Sequence, residues 1–197
     1  MNNLKNTKTA ENLMKAFVGE SGARNKYDMF AKKAEQEGYV QISEFFKKTA
    51  DNEKAHSKVF YDFLVQGFNG ELPTIIDIQA NYSVHDGNTL QNLQESANSE
   101  DKESVEIYPF FAKTASDEGF TEIADAFTLI SDIESHHKQR FLDLAYNLAN
   151  NLVFHKDEPV IWICSNCGHH HEGNDALDPC PVCGVPKDYA KILVKNY

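Results

Sequence analysis

Cysteine is absent from the first 163 residues; all four in the 197-residue chain lie between positions 164 and 183. A disulfide framework for the main body is therefore excluded. Glycine and proline are scarce, at 10 and 6 residues, which excludes a fibrous repeat and a loop-dominated chain. Cations are outnumbered, 19 Lys and Arg against 30 Asp and Glu, for a net charge of −11. Neither nucleic acid nor an anionic bilayer is an expected partner of such a chain, since both need clustered cations. No apolar run approaches the roughly 18 residues of a membrane-spanning helix. The polar stretch Met1 to Asn12 lacks the apolar segment of a secretory leader, so the expected location is cytoplasmic.

What the chain does have is helical periodicity, punctuated by glycine. Helices are expected from about Thr9 to Glu37, Val40 to Gln66, Thr89 to Glu118 and Thr121 to Asn150, with Gly38, Gly67 and Gly119 at the breaks. Short turns make each pair antiparallel. The long connection from Gly67 to Asn88, with Gly70, Pro73 and Gly87, reads as the crossover of a four-helix bundle. The two hairpins are copies of one another. Phe30 to Leu64 aligns without gaps on Phe111 to Ala145 at an offset of 81, and thirteen of the 35 positions are identical. Generic helix composition would match Ala, Glu and Lys, but would not also put Gly38/Gly119, Glu53/Glu134 and His56/His137 in register.

Charged residues interrupt the apolar seams at mid-length. The second helix reads Ile42, Phe46, Thr49, Glu53, His56, Phe60, Phe63; the fourth reads Ile123, Phe127, Ile130, Glu134, His137, Phe141, Leu144. The same register in the first gives Leu13, Phe17, Glu20, Arg24, Tyr27, Ala31, Ala34. An unpaired buried carboxylate costs several kcal/mol, and these seams hold too few Lys or Arg to offset three of them. A metal would. In Glu53-x-x-His56 and Glu134-x-x-His137 the i, i+3 spacing sends both side chains from one helix face. Two such pairs at equivalent places, with a Glu from each remaining helix, form the ligand set of ferritin-like di-iron and di-manganese proteins. His136, at i, i+2 from Glu134, points elsewhere.

The third helix is less regular. The offset of 81 carries Tyr27 onto Tyr108 but Glu20 onto Asp101, while Glu100 and Glu103 form a further i, i+3 pair. Glu100 would need one extra residue before Tyr108, accommodated as a π-type widening; spacing leaves Glu100 and Asp101 open. Tyr27 and Tyr108 are placed either to hydrogen-bond the carboxylates or to pack as core. Arg24, one turn beyond Glu20, could tether a ligand or snorkel to solvent.

The tail carries Cys164-x-x-Cys167 and Cys180-x-x-Cys183, twelve residues apart, each second Cys followed by Gly (Gly168, Gly184). Paired CxxC turns of this kind assemble a tetrahedral all-thiolate site for zinc or iron. A segment of roughly 40 residues has too little core to fold without such a staple. The run His169, His170, His171 reads as solvated loop between the knuckles.

Three stretches carry a family resemblance: FVGESGARNKYDMFAKKAEQEGYVQISEFFKKTADNEKAH (Phe17 to His56), YPFFAKTASDEGF (Tyr108 to Phe120) and ESHHKQRFLDLA (Glu134 to Ala145). They resemble rubrerythrin. Trp162, Cys164 to Gly168 and Cys180 to Gly184 resemble that family's rubredoxin-like domain, so the likeness covers nearly the whole chain. It implies a mainly α fold: a ferritin-like four-helix bundle over residues 1–152, then a small rubredoxin-like metal-knuckle β domain over 153–197. The family pattern E-x-x-E-x-x-x-x-Y-P falls on Glu100, Glu103, Tyr108 and Pro109, with Ser99 where the family usually has Gly.

By resemblance, the di-iron ligands and catalytic residues are Glu20, Glu53, His56, Glu100, Glu103, Glu134 and His137. His56 and Glu103 exchange on one iron, and Tyr27 and Tyr108 support the ligands. Cys164, Cys167, Cys180 and Cys183 hold the rubredoxin-type iron, ligated by four thiolates. The resemblance further implies reduction of hydrogen peroxide to water. Electrons would come from NAD(P)H through a separate rubredoxin reductase or similar donor and pass through the rubredoxin-like iron. A homodimer is the family's precedent, and the long crossover leaves room for helices exchanged between subunits. No Gly-rich nucleotide fingerprint occurs in this chain, in keeping with an external reductase. Two other readings remain at this level: a ferroxidase or iron-handling protein of the ferritin class, and a scaffold bundle with a zinc ribbon. The sequence does not rank peroxide against dioxygen as oxidant.

Overall fold

The structure is a computed structural model and describes residues 3–195; Met1, Asn2, Asn196 and Tyr197, the outermost residues of the two expected units, lie outside them. Helix α1 (Lys8–Gln36) starts where the Thr7 side chain accepts the N–H of Ala10, and it ends before Gly38, whose φ of 85° a side chain would resist. Helix α2 (Val40–Gly67) returns antiparallel. Helix α3 (Thr89–Lys102) opens with a capping box between Asn88 and Gln91, passes through a π segment (Glu103–Ile107) and continues as α4 (Tyr108–Asp117). After Gly119 (φ 83°), α5 (Thr121–Ala149) closes the bundle. No helix among the described residues is long and apolar enough to cross a membrane.

Two details depart from the expected register. Gly67 is the last residue of α2 rather than a break, and its need for glycine is a close approach: a Cβ there would lie 2.2 Å from the Leu4 side chain. The buried strip of α1 runs Leu13, Ala16, Glu20, Ala23, Tyr27, so Ala16 and Ala23 occupy the places expected for Phe17 and Arg24. Small residues on that strip let the helices draw close around Glu20.

The π segment explains the irregular spacing of the duplication. Before it the two hairpins correspond at an offset of 80, pairing Thr9 with Thr89, Leu13 with Leu93 and Glu20 with Glu100; after it the offset is 81, pairing Tyr27 with Tyr108. The extra residue is absorbed in one widened turn. The copies also cap one another. Glu118 accepts the N–H groups of Lys8 and Thr9 and the Thr9 hydroxyl, at 3.0, 2.8 and 2.6 Å. Glu37 likewise accepts the N–H and hydroxyl of Thr89, at 2.9 and 2.7 Å. Each carboxylate therefore satisfies otherwise orphaned donors at a helix start.

Residues 68–88 cross the bundle without helix or strand. The Tyr82 hydroxyl donates to the Lys15 carbonyl, and the Asn92 side chain both accepts from and donates to the Gly87 backbone. Inside, the apolar residues form two clusters. One gathers Leu13, Phe60, Phe127 and Tyr108; the other gathers Tyr27, Phe46, Leu93 and Phe141. The charged residues of the seams fall at mid-length, beyond the apolar members of either cluster.

The tail is a three-stranded antiparallel sheet, order β2-β1-β3, of β1 (His155–Cys164), β2 (His170–Asp175) and β3 (Ala190–Ile192). Trp162 is buried in it and donates its indole N–H to the Gly173 carbonyl at 3.0 Å. The histidine run is not a solvated loop throughout: His170 and His171 begin β2 and pair with Ile163 and Trp162. The tail rests on the bundle through Lys191, 2.9 Å from Glu44 of α2.

Candidate metal centres

Six side chains meet in the middle of the bundle: Glu20 from α1, Glu53 and His56 from α2, Glu100 from α3, and Glu134 and His137 from α5. All are buried, His56 the most accessible at 7%. They form two four-residue groups, Glu20/Glu53/His56/Glu134 and Glu53/Glu100/Glu134/His137, whose ligand atoms lie within 4.8 Å of one another. Glu53 and Glu134 belong to both. Each divides its oxygens between the two imidazoles. Glu53 places Oε2 3.0 Å from His56 Nδ1 and Oε1 3.2 Å from His137 Nδ1. Glu134 places Oε1 2.9 Å from His56 Nδ1 and Oε2 2.7 Å from His137 Nδ1.

Those separations suit hydrogen bonds, but the directions do not. Both oxygens of Glu53 and Glu134, Nδ1 of both histidines and Oε2 of Glu100 are buried without a hydrogen-bond partner. Lone pairs that converge without bonding one another describe two cation positions bridged by two carboxylates. The donors, hard oxygens with one imidazole on each side, fit iron.

Electrostatics without a cation would be severe. Burial raises Glu20 and Glu100 well above the carboxylate range, helped by the charges of Glu134 on Glu20 and of Glu53 on Glu100. Burial also opposes charge on the imidazoles, but the surrounding carboxylates outweigh it and push His56 up to about 12 and His137 up to about 9. A metal replaces those protons and removes the repulsion.

Tyr27 donates its phenol to Glu100 Oε1, and Tyr108 donates to Glu20 Oε1, each spanning the two hairpins. Burial first, then the carboxylate it bonds, raises each phenol well above its ordinary value, so both remain protonated donors. Of the two candidates left open by spacing, Glu100 faces the centre, whereas Asp101 turns outward to Lys138 at 2.6 Å. Glu103 is half-buried at the start of the π segment and belongs to neither group; His56, and not Glu103, stands with Glu20. Burial and the charges of Glu134 and Glu53 push Glu103 up to about 8. Arg24 does not tether Glu20: it reaches Asp28, 3.9 Å away. His136 is exposed on the outer face of α5.

The four cysteines are unpaired thiols gathered within 4.8 Å. The two knuckles repeat one geometry. Gly168 and Gly184 take φ of 77° and 74° and donate their N–H groups to the carbonyls of Cys164 and Cys180, at 2.8 and 2.9 Å. Sulfur separations are 3.8 Å for Cys164–Cys183 and 3.7 Å for Cys167–Cys180. A tetrahedron with metal–sulfur bonds of about 2.3 Å has edges of about 3.8 Å, so the site fits one ion. Asn166 was not singled out by its sequence. Its side chain and the Val185 N–H hydrogen-bond Cys183 and hold that thiol down to about 6, favouring the thiolate ligand.

Fold and donor sets together define a ferritin-like protein with a di-iron carboxylate site and a four-cysteine, rubredoxin-like knuckle in one chain. Family comparisons agree at both ends: the rubrerythrin model matches residues 11–145, and that of the rubrerythrin rubredoxin-like domain matches residues 162–189. The chain belongs to the rubrerythrin family. It is 48% identical to rubrerythrin-1 of Clostridium acetobutylicum and 40% identical to the rubrerythrin of Nitratidesulfovibrio vulgaris, each over 197 residues and the full length of both chains. A solved nigerythrin in a mixed-valence state superimposes with a TM-score of 0.61 at 31% identity, covering 98% of this chain and 92% of that one.

Proposed function

We propose that this protein is a cytoplasmic peroxidase that reduces hydrogen peroxide to water in defence against oxidative stress. The observation that carries this is the sharing of Glu53 and Glu134 between two adjacent ligand groups. Reduction of peroxide to two waters consumes two electrons and two protons; an iron pair held by these residues would supply two electrons from one site, and a separate NAD(P)H-linked reductase would replace them by way of iron held by the four cysteines of the tail. Residues 1–152 form the unit that holds the pair and 153–197 the unit that receives electrons.

The chain's own side chains do the rest. Glu20 and Glu100 would each complete one of the two positions and His56 and His137 would hold one each; Glu103, which lies outside both ligand groups, would be the alternative ligand to His56. Tyr27 and Tyr108 fix the carboxylates they donate to, so that the ligands keep their orientation through turnover. The two apolar clusters keep bulk water from the buried layer. A homodimer is the working form in this reading; Leu129 and Ile133, exposed one turn apart on α5, give it apolar surface.

The test is to load the protein with iron, reduce it anaerobically, and mix it with peroxide or with dioxygen while following the colour of the tetracysteine site. Rapid recolouring by peroxide and a slow response to dioxygen is expected. Equal or faster recolouring by dioxygen would turn the assignment to an oxidase or ferroxidase.

A further inference from the structure

Between α2, α5 and the start of the tail lies a cavity of about 460 Å³, a size that takes a small organic molecule. Both units of the chain line it. Ile42 and Phe45 of α2 and Leu144 of α5 are joined there by Val153 and by Ile192 of β3, which gives it apolar walls. None of its lining residues belongs to either metal centre.

Charge in this cavity reverses the balance of the chain. Carboxylates outnumber Lys and Arg by 30 to 19 overall, yet Arg140 of α5 and Lys156 of β1 line the cavity against a single carboxylate, Asp143. Asp143 is already engaged, accepting the Gln139 amide at 2.8 Å. Nearby lysines find carboxylates: Lys138 pairs with Asp101 at 2.6 Å and Lys191 with Glu44 at 2.9 Å. Arg140 does not. Its guanidinium makes a long hydrogen bond of 3.4 Å to the Thr49 hydroxyl and lies 5.9 Å from the centre of the Phe45 ring. Lys156 is half-buried, and burial pulls its ammonium below the ordinary value more than the charge of Asp157 restores it. Desolvated cations without an ion-pair partner are costly, and an anion that meets both offsets that cost.

We propose that this cavity binds an organic anion, a flat apolar body bearing one carboxylate or phosphate. The acid group meets Arg140 and Lys156, and the body lies against Phe45 and the aliphatic walls. The guanidinium fork suits either acid, since both accept two parallel N–H bonds. An occupant touches α2, α5 and the tail at once, so it holds the tail against the bundle. The site is independent of the peroxidase reading.

Isothermal titration calorimetry on the full-length, iron-loaded protein tests it with benzoate and phenyl phosphate, and with benzyl alcohol and inorganic phosphate as the separated halves. Both aromatic acids are expected to bind at one site per chain, the tighter of the two naming the acid group, and each half alone to bind at least about tenfold more weakly. Arg140→Gln and Lys156→Gln should each raise the Kd about tenfold. Lys47→Gln, which removes a lysine paired with Glu35 outside the cavity, should leave it unchanged. Arg140→Lys keeps the charge without the fork and should fall between, which keeps the test open if the Gln variant perturbs the fold. Far-UV circular dichroism and the tetracysteine absorption report on that. Benzyl alcohol binding as tightly as benzoate would reduce the cavity to an apolar crevice and overturn the anion site. Inorganic phosphate binding as tightly as phenyl phosphate would overturn the organic ligand. Weakening in Arg140→Gln but not in Lys156→Gln would place the site on the bundle alone and overturn the contact with the tail. No heat from either aromatic acid at millimolar concentration would overturn the proposal outright.

Discussion

Tyr108 of the second hairpin donates its phenol to Glu20 of the first, so the carboxylate that ends one metal position is held by a residue 88 positions away. Tyr27 does the same for Glu100 in the opposite sense. Tyr108→Phe removes one donor and leaves a buried oxygen unsatisfied without changing shape. Turnover is expected to fall about 10–100-fold, with bundle iron and the tetracysteine spectrum retained. Steady-state peroxide reduction on iron-quantified protein checks this, and an unchanged kcat would reduce the phenol to packing.

Glu134 and His137 are one turn apart, yet their loss has different consequences. Glu134 belongs to both ligand groups and His137 to one. Glu134→Ala is expected to empty both bundle positions, whereas His137→Ala loses the iron on the Glu100 side first. Peroxide turnover ends in both variants. Iron analysis per chain, read beside the tetracysteine absorption, distinguishes them; retention of two bundle irons in Glu134→Ala would refute the bridging role.

Deleting Val105 from the π segment removes the residue that separates the two offsets. The spacing from Glu100 to the phenol then becomes seven residues, as between Glu20 and Tyr27, and at about 100° per residue both side chains still share one face of a regular helix. The expected outcome is a bundle of near-normal helicity by far-UV circular dichroism that keeps two bundle irons. Loss of one iron would show that the widened turn itself is needed to hold the site.

Acid should loosen the caps between the hairpins. Burial opposes the charge on Glu37 and Glu118, but the hydroxyl and N–H of Thr89 and of Thr9, with nearby lysines, outweigh it and hold both carboxyls below the ordinary range. A carboxyl whose pKa is lower folded than unfolded stabilises the fold above its unfolded value, and the gain is lost as pH falls through the folded value. Stability contributed by these caps is therefore full at neutral pH and disappears below about pH 4. Glu118→Gln should flatten that part of the pH profile of thermal unfolding, and Glu118→Ala should cost about 1 kcal/mol at neutral pH. A profile identical to wild type would contradict the assignment.

Much of this was legible in the chain because the duplication checks itself. Glu53-x-x-His56 and its copy place two metal ligands apiece by local spacing, and paired CxxC knuckles do so for sulfur. Even the π segment was foreshadowed by the one-residue mismatch between Glu100 and Tyr108. What was not legible depends on distant partners. Nothing local tells Glu118 that it will cap Thr9, or separates Arg24 from Ala23 as the residue that faces the core. His170 and His171 carry no local mark of a strand, because two polar residues beside a knuckle look like loop until Ile163 and Trp162 supply the strand they pair with.

In each ligand group three residues come from one hairpin and the fourth is lent by the other: Glu134 completes Glu20, Glu53 and His56, and Glu53 completes Glu100, Glu134 and His137. No hairpin can build a position by itself, but one hairpin facing a second copy of itself builds both at once. A hairpin of this kind and a second copy of it would therefore carry a complete pair of ligand groups without the crossover between them, and the inserted residue in the third helix is where the two halves of this chain part from that symmetry.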